Sequence, residues 1–217
     1  MKILFNFVHK MCYHVSFSSK KASISQALGF DFSEDDNKIP KGIFNAFDFP
    51  TLAIITNDPT QRLQLAEWGL VPSFTSNNFN RVNTLNARIE HIQEKISFKN
   101  SLSNRCIIPI SSFFEWKWLD GKGKQKQKFE IKGVHEILLL AGIFSNMGNQ
   151  LSFTIITTPA NELMSEIHNI KKRMPLILTD DNKNKWLQGD DVKLFEHCDP
   201  DLNAQALDFP KQQPTLF

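Results

Sequence analysis

At 217 residues, 41% hydrophobic and 22% charged, the chain can bury the core of one globular domain, and its composition is not disordered, collagenous or membrane-spanning. A net charge of +2 excludes action through a strong overall field. Three cysteines, an odd number, without a secretory signal favour free thiols in a reducing compartment, so a cytoplasmic protein is expected.

Residues 3–8 form an apolar run too short to span a bilayer and lack a small-residue cleavage site. Residues 1–10 therefore read either as a mis-assigned start ahead of Met11 or as a leader removed later. Residues 13–17 look like a strand, and residues 22–28 like a helix stopped by Gly29. Residues 31–41 are polar and turn-rich. Strands are expected at 51–56 and 63–70, the second ending before Pro72. Helical spacing of Ile89, Ile92 and Ile96 predicts a helix over 88–98. A β-rich centre follows at 105–110, 112–118, 128–131, 137–143 and 151–157, with a turn at Gly121 and Gly123. Asn161 is placed to cap a helix at 162–168, residues 175–178 read as one more strand, and 181–187 as a short helix. Beyond Trp186 the chain turns acidic and irregular. The fold class is α+β: one domain over 11–200 with a β-rich core of antiparallel strands, barrel- or sandwich-like, flanked by short helices, then a tail at 201–217.

Charge is uneven along this order. Residues 81–133 hold eleven Lys and Arg against five Asp and Glu, so the remainder is acidic. Clustered cations can follow a phosphate backbone, although a solvated lysine-rich hairpin tip at 122–128 accounts for much of the excess.

Met11-Cys12 is the chemically distinctive stretch. If Met11 is the start and is removed, Cys12 carries a free α-amine, with an ordinary pKa of about 7.7–8.0, next to a thiol near about 8.5. Such a 1,2-aminothiol captures an aldehyde as an imine, and the sulfur then closes on the same carbon to give a thiazolidine. An internal cysteine lacks the amine. Imine formation must expel water from a carbinolamine, which requires a nearby acid or base. Glu115, flanked by Phe113, Phe114 and Trp116, suits that work if the flank desolvates it and raises its pKa; on composition alone it is an exposed strand residue.

Four patterns stand in order: Met11-Cys12, Asn86-Ala87-Arg88-Ile89-Glu90, Arg105 to Pro109 leading to Phe113-Phe114-Glu115-Trp116, and His168 followed by Arg173-Met174-Pro175. Together they resemble the SOS-response-associated peptidase family, whose members crosslink themselves to abasic sites in single-stranded DNA. The resemblance implies that Cys12 is the covalent residue, that Asn86 holds the amine and the sugar, that Glu115 moves protons, and that His168 assists proton transfer and crosslink reversal. It implies Arg88 as a phosphate partner, with Arg173 and Lys99 as weaker candidates, and Thr157 as a position near the DNA. Trp68, Phe47, Phe74 and Trp116 are candidate stacking surfaces, a sequence-tolerant mode of binding. The family usually continues Met-Cys-Gly-Arg. Here Tyr13 and His14 follow, so a phosphate contact is lost unless His14 is protonated.

Cys12, His14, Cys106, His168, His197 and Cys198 are metal-ligand types without paired spacing, so no metal and no cofactor are expected, and Cys106 reads as a small buried residue. The final Gln213-Pro214-Thr215-Leu216-Phe217 resembles the short motif with which bacterial repair proteins dock on the sliding clamp, with Leu216 and Phe217 entering an apolar pocket and Gln213 fixing register. The expected partners are abasic single-stranded DNA and that clamp, for a monomer associated with the nucleoid on damage. Two rival functions are a cysteine peptidase or autoprocessing hydrolase, and a non-catalytic single-strand binder.

Overall fold

The computed structural model describes residues 13–31, 36–58, 62–75, 79–148, 150–197 and 199–207. Cys12, Cys198, Gln213, Leu216 and Phe217 lie outside the described residues.

Runs rich in β-branched and aromatic residues form strands where turn residues bound them. β1 is His14–Phe17, β2 Gly42–Asn45, β3 Thr51–Thr56, β4 Leu63–Trp68, β5 Asn86–Arg88, β6 Arg105–Ile110 and β7 Ser112–Trp118. β8 is Lys126–Gly133, β9 Leu138–Met147, β10 Gln150–Pro159, β11 Arg173–Pro175, β12 Ile177–Leu178 and β13 Leu202–Ala206. The helices are short: α1 Lys21–Leu28, α2 Ile96–Lys99, α3 Glu162–Ile167 and α4 Lys183–Gln188. Gly29 ends α1 at φ 79°, a conformation glycine adopts without strain, and its N–H closes the turn on the Ser25 carbonyl at 2.9 Å.

One sheet runs β13-β8-β7-β1-β2. In the other, β3, β4, β10, β9 and β6 each pair with the next and β6 pairs back to β3, which closes a five-stranded barrel; β5, β11 and β12 extend it. Most pairs are antiparallel, as expected for an α+β domain with a β-rich core. The exceptions are β4 and β5, which both lie parallel to β10.

Barrel residues alternate between two apolar clusters, the signature of strands covered on both faces. Ile54, Cys106, Ile108, Leu140 and Ile155 join Val15, Phe113 and Ile131 of the five-stranded sheet. Ile55, Ile107, Leu139, Ala141 and Ile156 join Ile24 and Leu28 of α1 and Trp186 and Leu187 of α4. Cys106 is fully buried, as its setting in an apolar strand predicts, and desolvation pushes its thiol pKa far up. No helix among the described residues is long and apolar enough to cross a membrane.

Four expectations change. The helix predicted over 88–98 is instead the end of β5, a 3-10 turn at Ile89–His91 and the one-turn α2. Ile89 and Ile92 are buried as the periodicity demands, but Ile96 is 59% exposed, because parallel pairing to β10 has claimed residues 86–88. The strand at 175–178 is two strands, β11 on β10 and β12 on β9, joined through Leu176, whose N–H bonds the Ile156 carbonyl at 2.9 Å. β2 emerges just beyond the turn-rich stretch. Residues 202–206 are β13, paired along β8, so the folded sheet extends into the stretch expected to be tail.

Candidate functional site

β1 and β7 set the first half of the site. Their antiparallel register places His14 opposite Phe114 and Val15 opposite Phe113, so Tyr13 precedes the pairing at one end and Glu115 follows it. Successive strand residues face opposite sides, so Tyr13, Val15, Phe113 and Glu115 share the inner face, whereas His14, Phe114 and Trp116 share the outer face. Glu115 is only 6% exposed, which overturns its reading as a solvent-facing strand residue.

β10 sets the second half. β5 lies beside it with Asn86 opposite Ile155 and Arg88 opposite Thr157, and β11 lies on its other flank with Arg173 opposite Pro159. Asn161 caps α3 by accepting from the Met164 N–H at 3.0 Å, and α3 packs on β7 and β11. The turn after α3 docks on β7 through a reciprocal pair: the Asn169 amide donates to the Trp118 carbonyl at 2.9 Å and accepts from the Trp118 N–H at 3.1 Å.

One apolar cluster gathers the neighbours of all four sequence patterns. Tyr13 adjoins Cys12, Leu85 adjoins Asn86, Phe113 stands two before Glu115, Ile167 adjoins His168, and Met174 adjoins Arg173; all five belong to it. The segments that carry the four patterns thus border the same apolar core.

His168 ends α3, is 8% exposed, and sets its Nδ1 2.9 Å from the Arg173 carbonyl. A carbonyl only accepts, so Nδ1 carries the proton and Nε2 keeps its lone pair when the ring is neutral. Desolvation lowers the His168 pKa, the Arg173 carbonyl opposes that shift, and Lys171 and Arg173 add to it. The net fall favours the neutral ring.

His14 is also held neutral. Burial lowers its pKa, Lys128 lowers it further, and Asp48 acts in the opposite sense. Its ring meets Trp116 edge-on at 4.9 Å, and its Nδ1 is buried without a hydrogen-bond partner among the described residues. A charged His14 in place of the family's arginine is therefore disfavoured.

Three expected DNA contacts are structural. Trp68 is fully buried, donates to the Leu85 carbonyl at 2.7 Å and stacks on Phe153 at 6.0 Å, so no nucleobase reaches it. Thr157 is fully buried and donates to the Ala87 carbonyl at 3.3 Å. Arg173 is buried in a two-pronged ion pair with Glu90, with one bond from Nη2 to Oε2 of 2.8 Å, and it also donates to the Thr157 carbonyl at 2.7 Å. Its guanidinium is occupied and unavailable to a phosphate. Burial is the largest influence and works against the Glu90 charge, but the Arg173 hydrogen bonds, a backbone hydrogen bond and the charges of Arg173 and His91 together outweigh it and hold the carboxyl below its usual range.

Glu90 is the structural residue the sequence reading passed over. Its only signal was its place at the end of the Asn86 to Glu90 pattern. Of the remaining candidates, Arg88 is exposed beside the buried Ala87, Phe47 and Phe74 are 43% and 51% exposed, and Trp116 is half-buried. Phe47 packs on Tyr13 with ring centroids 4.5 Å apart. Lys99 is exposed at the end of α2.

Residues 11–209 match the family model described as SOS response associated peptidase (SRAP). The chain is 40% identical over 162 residues to the abasic site processing protein YoqW of Bacillus subtilis, covering 72% of this chain and 68% of that protein. It is 28% identical over 196 residues to an abasic site processing protein of Saccharomyces cerevisiae, covering 82% and 51% respectively. A solved structure of a Bacteroides thetaiotaomicron protein superposes with a TM-score of 0.78 at 30% identity, over 94% of this chain and 97% of the other.

Proposed function

Because this chain belongs to the SOS response associated peptidase family, we propose that it processes abasic sites in single-stranded DNA and does so by a covalent crosslink through Cys12. The observation that carries the reading is that Glu115 and His168, the two candidates for proton transfer, are both buried, at 6% and 8% exposure.

The chemistry balances as a condensation. The Cys12 amine adds to the aldehyde carbon of the ring-opened deoxyribose, and the carbinolamine loses water to give an imine. The thiol sulfur then adds to that carbon while its proton passes to the nitrogen, closing the thiazolidine. Glu115 donates the proton that carries away the hydroxyl and takes one back from the amine. His168 offers Nε2 as the base for reversal, and Asn86 orients the amine and the sugar. Arg88 pairs with a phosphate, with Lys99 as an outlying cation, while Phe47, Phe74 and Trp116 stack on flanking bases. β-Elimination through the imine is a second outcome of the same intermediate. The Gln213 to Phe217 motif would tether the monomer to a sliding clamp in the cytoplasm; unchanged clamp binding after deletion of Leu216 and Phe217 ends that part.

Intact-mass spectrometry of natively expressed protein, with and without single-stranded DNA bearing one abasic site, tests the reading. The expected species begins at Cys12 and gains the mass of the DNA less one water. A chain still carrying residues 1–11 and forming no adduct overturns it. Peptide cleavage without any aldehyde would favour the peptidase, and equal binding of intact DNA by Cys12→Ala the simple binder.

A further inference from the structure

The β7–β8 hairpin is built more firmly than a solvated lysine loop needs to be. Asp120 accepts from the N–H groups of Lys122, Lys124 and Gln125 at 3.1, 2.9 and 3.2 Å, which fixes the tip. Gly123 lies so close over Trp118 that an added Cβ would stand 2.6 Å from the indole ring, so the tip is folded down on the aromatic. The Asn169 pair pins Trp118 to the turn that follows His168.

The register sets Trp116 opposite Lys128 and Trp118 opposite Lys126, all on the outer face. Lys128 lies 4.3 Å from the Phe114 ring centroid and 5.4 Å from that of Trp116, and Lys126 lies 5.1 Å from that of Trp118. Lys122 and Lys124 continue the row, exposed, at the tip. Of the hairpin's three acids, Glu115 is buried and the other two are already engaged. Glu130 bonds Ser112 at 2.7 Å and pairs with Lys132 at 3.2 Å, while Asp120 serves the tip. The strip is thus a line of cations beside flat rings on a rigid arm that starts at Glu115.

We propose that this hairpin is an extension of the DNA track, receiving the single strand several nucleotides to one side of the lesion. The inference rests on the abasic-DNA reading above and adds a second surface to it. The occupant is single-stranded DNA because the strip offers positive charge to phosphates and stacking faces to unpaired bases. From Glu115 to Asp120 the strand runs about 17 Å at about 3.3 Å per residue, which matches about five stacked nucleotides at about 3.4 Å each.

The experiment compares abasic oligonucleotides that end one nucleotide from the lesion with ones extended by two, five and ten nucleotides, separately on each side. Wild type and Lys124→Gln/Lys126→Gln are both measured for noncovalent affinity across a salt series and for crosslink yield at saturation. Wild-type affinity is expected to rise with length on one side only and to level off near five nucleotides. The double variant should lose that rise, with a log affinity against log salt slope smaller by about 1.4 for two phosphate contacts on a single strand. It should match wild type on the shortest oligonucleotide and in crosslink yield. Length dependence equal on both sides, or unchanged in the variant, overturns the hairpin proposal while crosslinking of the shortest oligonucleotide leaves the abasic-site reading standing. Absence of crosslinking with every oligonucleotide removes both. A variant defect that appears only with an RNA extension also overturns the assignment.

Discussion

Replacing Arg173 by methionine separates two assignments of one residue. In the structure its guanidinium is a buried clamp, bonded to both oxygens of Glu90 and to the Thr157 carbonyl, and it ties the segment after β5 to β10 and β11. Methionine keeps much of the stem volume but removes every donor, leaving a carboxylate and a carbonyl without their partner. Breaking a buried pair costs about 3–5 kcal/mol when the remaining charge is sealed in. The Glu90 side chain is 30% exposed and can draw water, so about 2–3 kcal/mol is expected. For a chain of this size that lowers Tm by about 5–10 °C.

Thermal and urea unfolding of Arg173→Met, Glu90→Gln and the double variant read this directly. The double-mutant cycle should return a coupling of about 1–2 kcal/mol, since each single change destroys the same contact. DNA binding by the folded fraction should keep its salt slope. Unchanged stability in Arg173→Met, with a salt slope reduced by about 0.7 on single strands, would mean that Arg173 meets a phosphate and that the clamp is wrong.

Three further outcomes follow from the same geometry. Trp68→Phe removes the bond to the Leu85 carbonyl and leaves a small void, so stability should fall by about 1–3 kcal/mol in urea unfolding while the folded protein binds intact single-stranded DNA as before. Gly142→Ala would set a methyl against Ile108, 2.9 Å from the Thr154 carbonyl oxygen and 3.0 Å from the Cys106 sulfur, and should cost about 1–3 kcal/mol by the same measurement. The Glu90 carboxyl has a folded pKa below its ordinary value of 4.5, so the folded state binds its proton less readily than the unfolded chain. That stabilisation is complete above 4.5 and is lost as pH falls from there through the folded value; in Tm measured from pH 6 to pH 3, Glu90→Gln should fall less steeply than wild type.

Strands were readable where the residue pattern and the environment agree. Residues 51–56, 105–110 and 112–118 fold as strands with those limits, because runs rich in β-branched residues in the first two and in aromatic residues in the third suit strands between turns. The 88–98 stretch failed for a complementary reason. Its isoleucine spacing is a local signal, but residues 86–88 pair with a strand some seventy positions away, and no local period reports such a partner. β2 and β13 were missed because edge strands draw their order from a neighbour's hydrogen bonds and carry little apolar pattern of their own.

The site divides along the same line. Residue type made Trp68 and Arg173 look like DNA contacts, since indoles stack and guanidiniums bind phosphates, but each function depends on which partner the fold supplies. The Leu85 carbonyl and Glu90 reach them first. For Glu115 the sequence supplied the right suspicion through its aromatic flank, although alternation puts Phe114 and Trp116 on the far side of the sheet. What buries Glu115 is the inner face it shares with Phe113 and Tyr13. The same alternation splits the pair that replaces the family's Gly-Arg. Tyr13 turns inward to the cluster and to Phe47, whereas His14 turns outward to Trp116 and Lys128. A neutral ring beside a lysine cannot take over an arginine's charge, so the cations of the proposed DNA track would be Arg88 and the lysines of the β7–β8 hairpin.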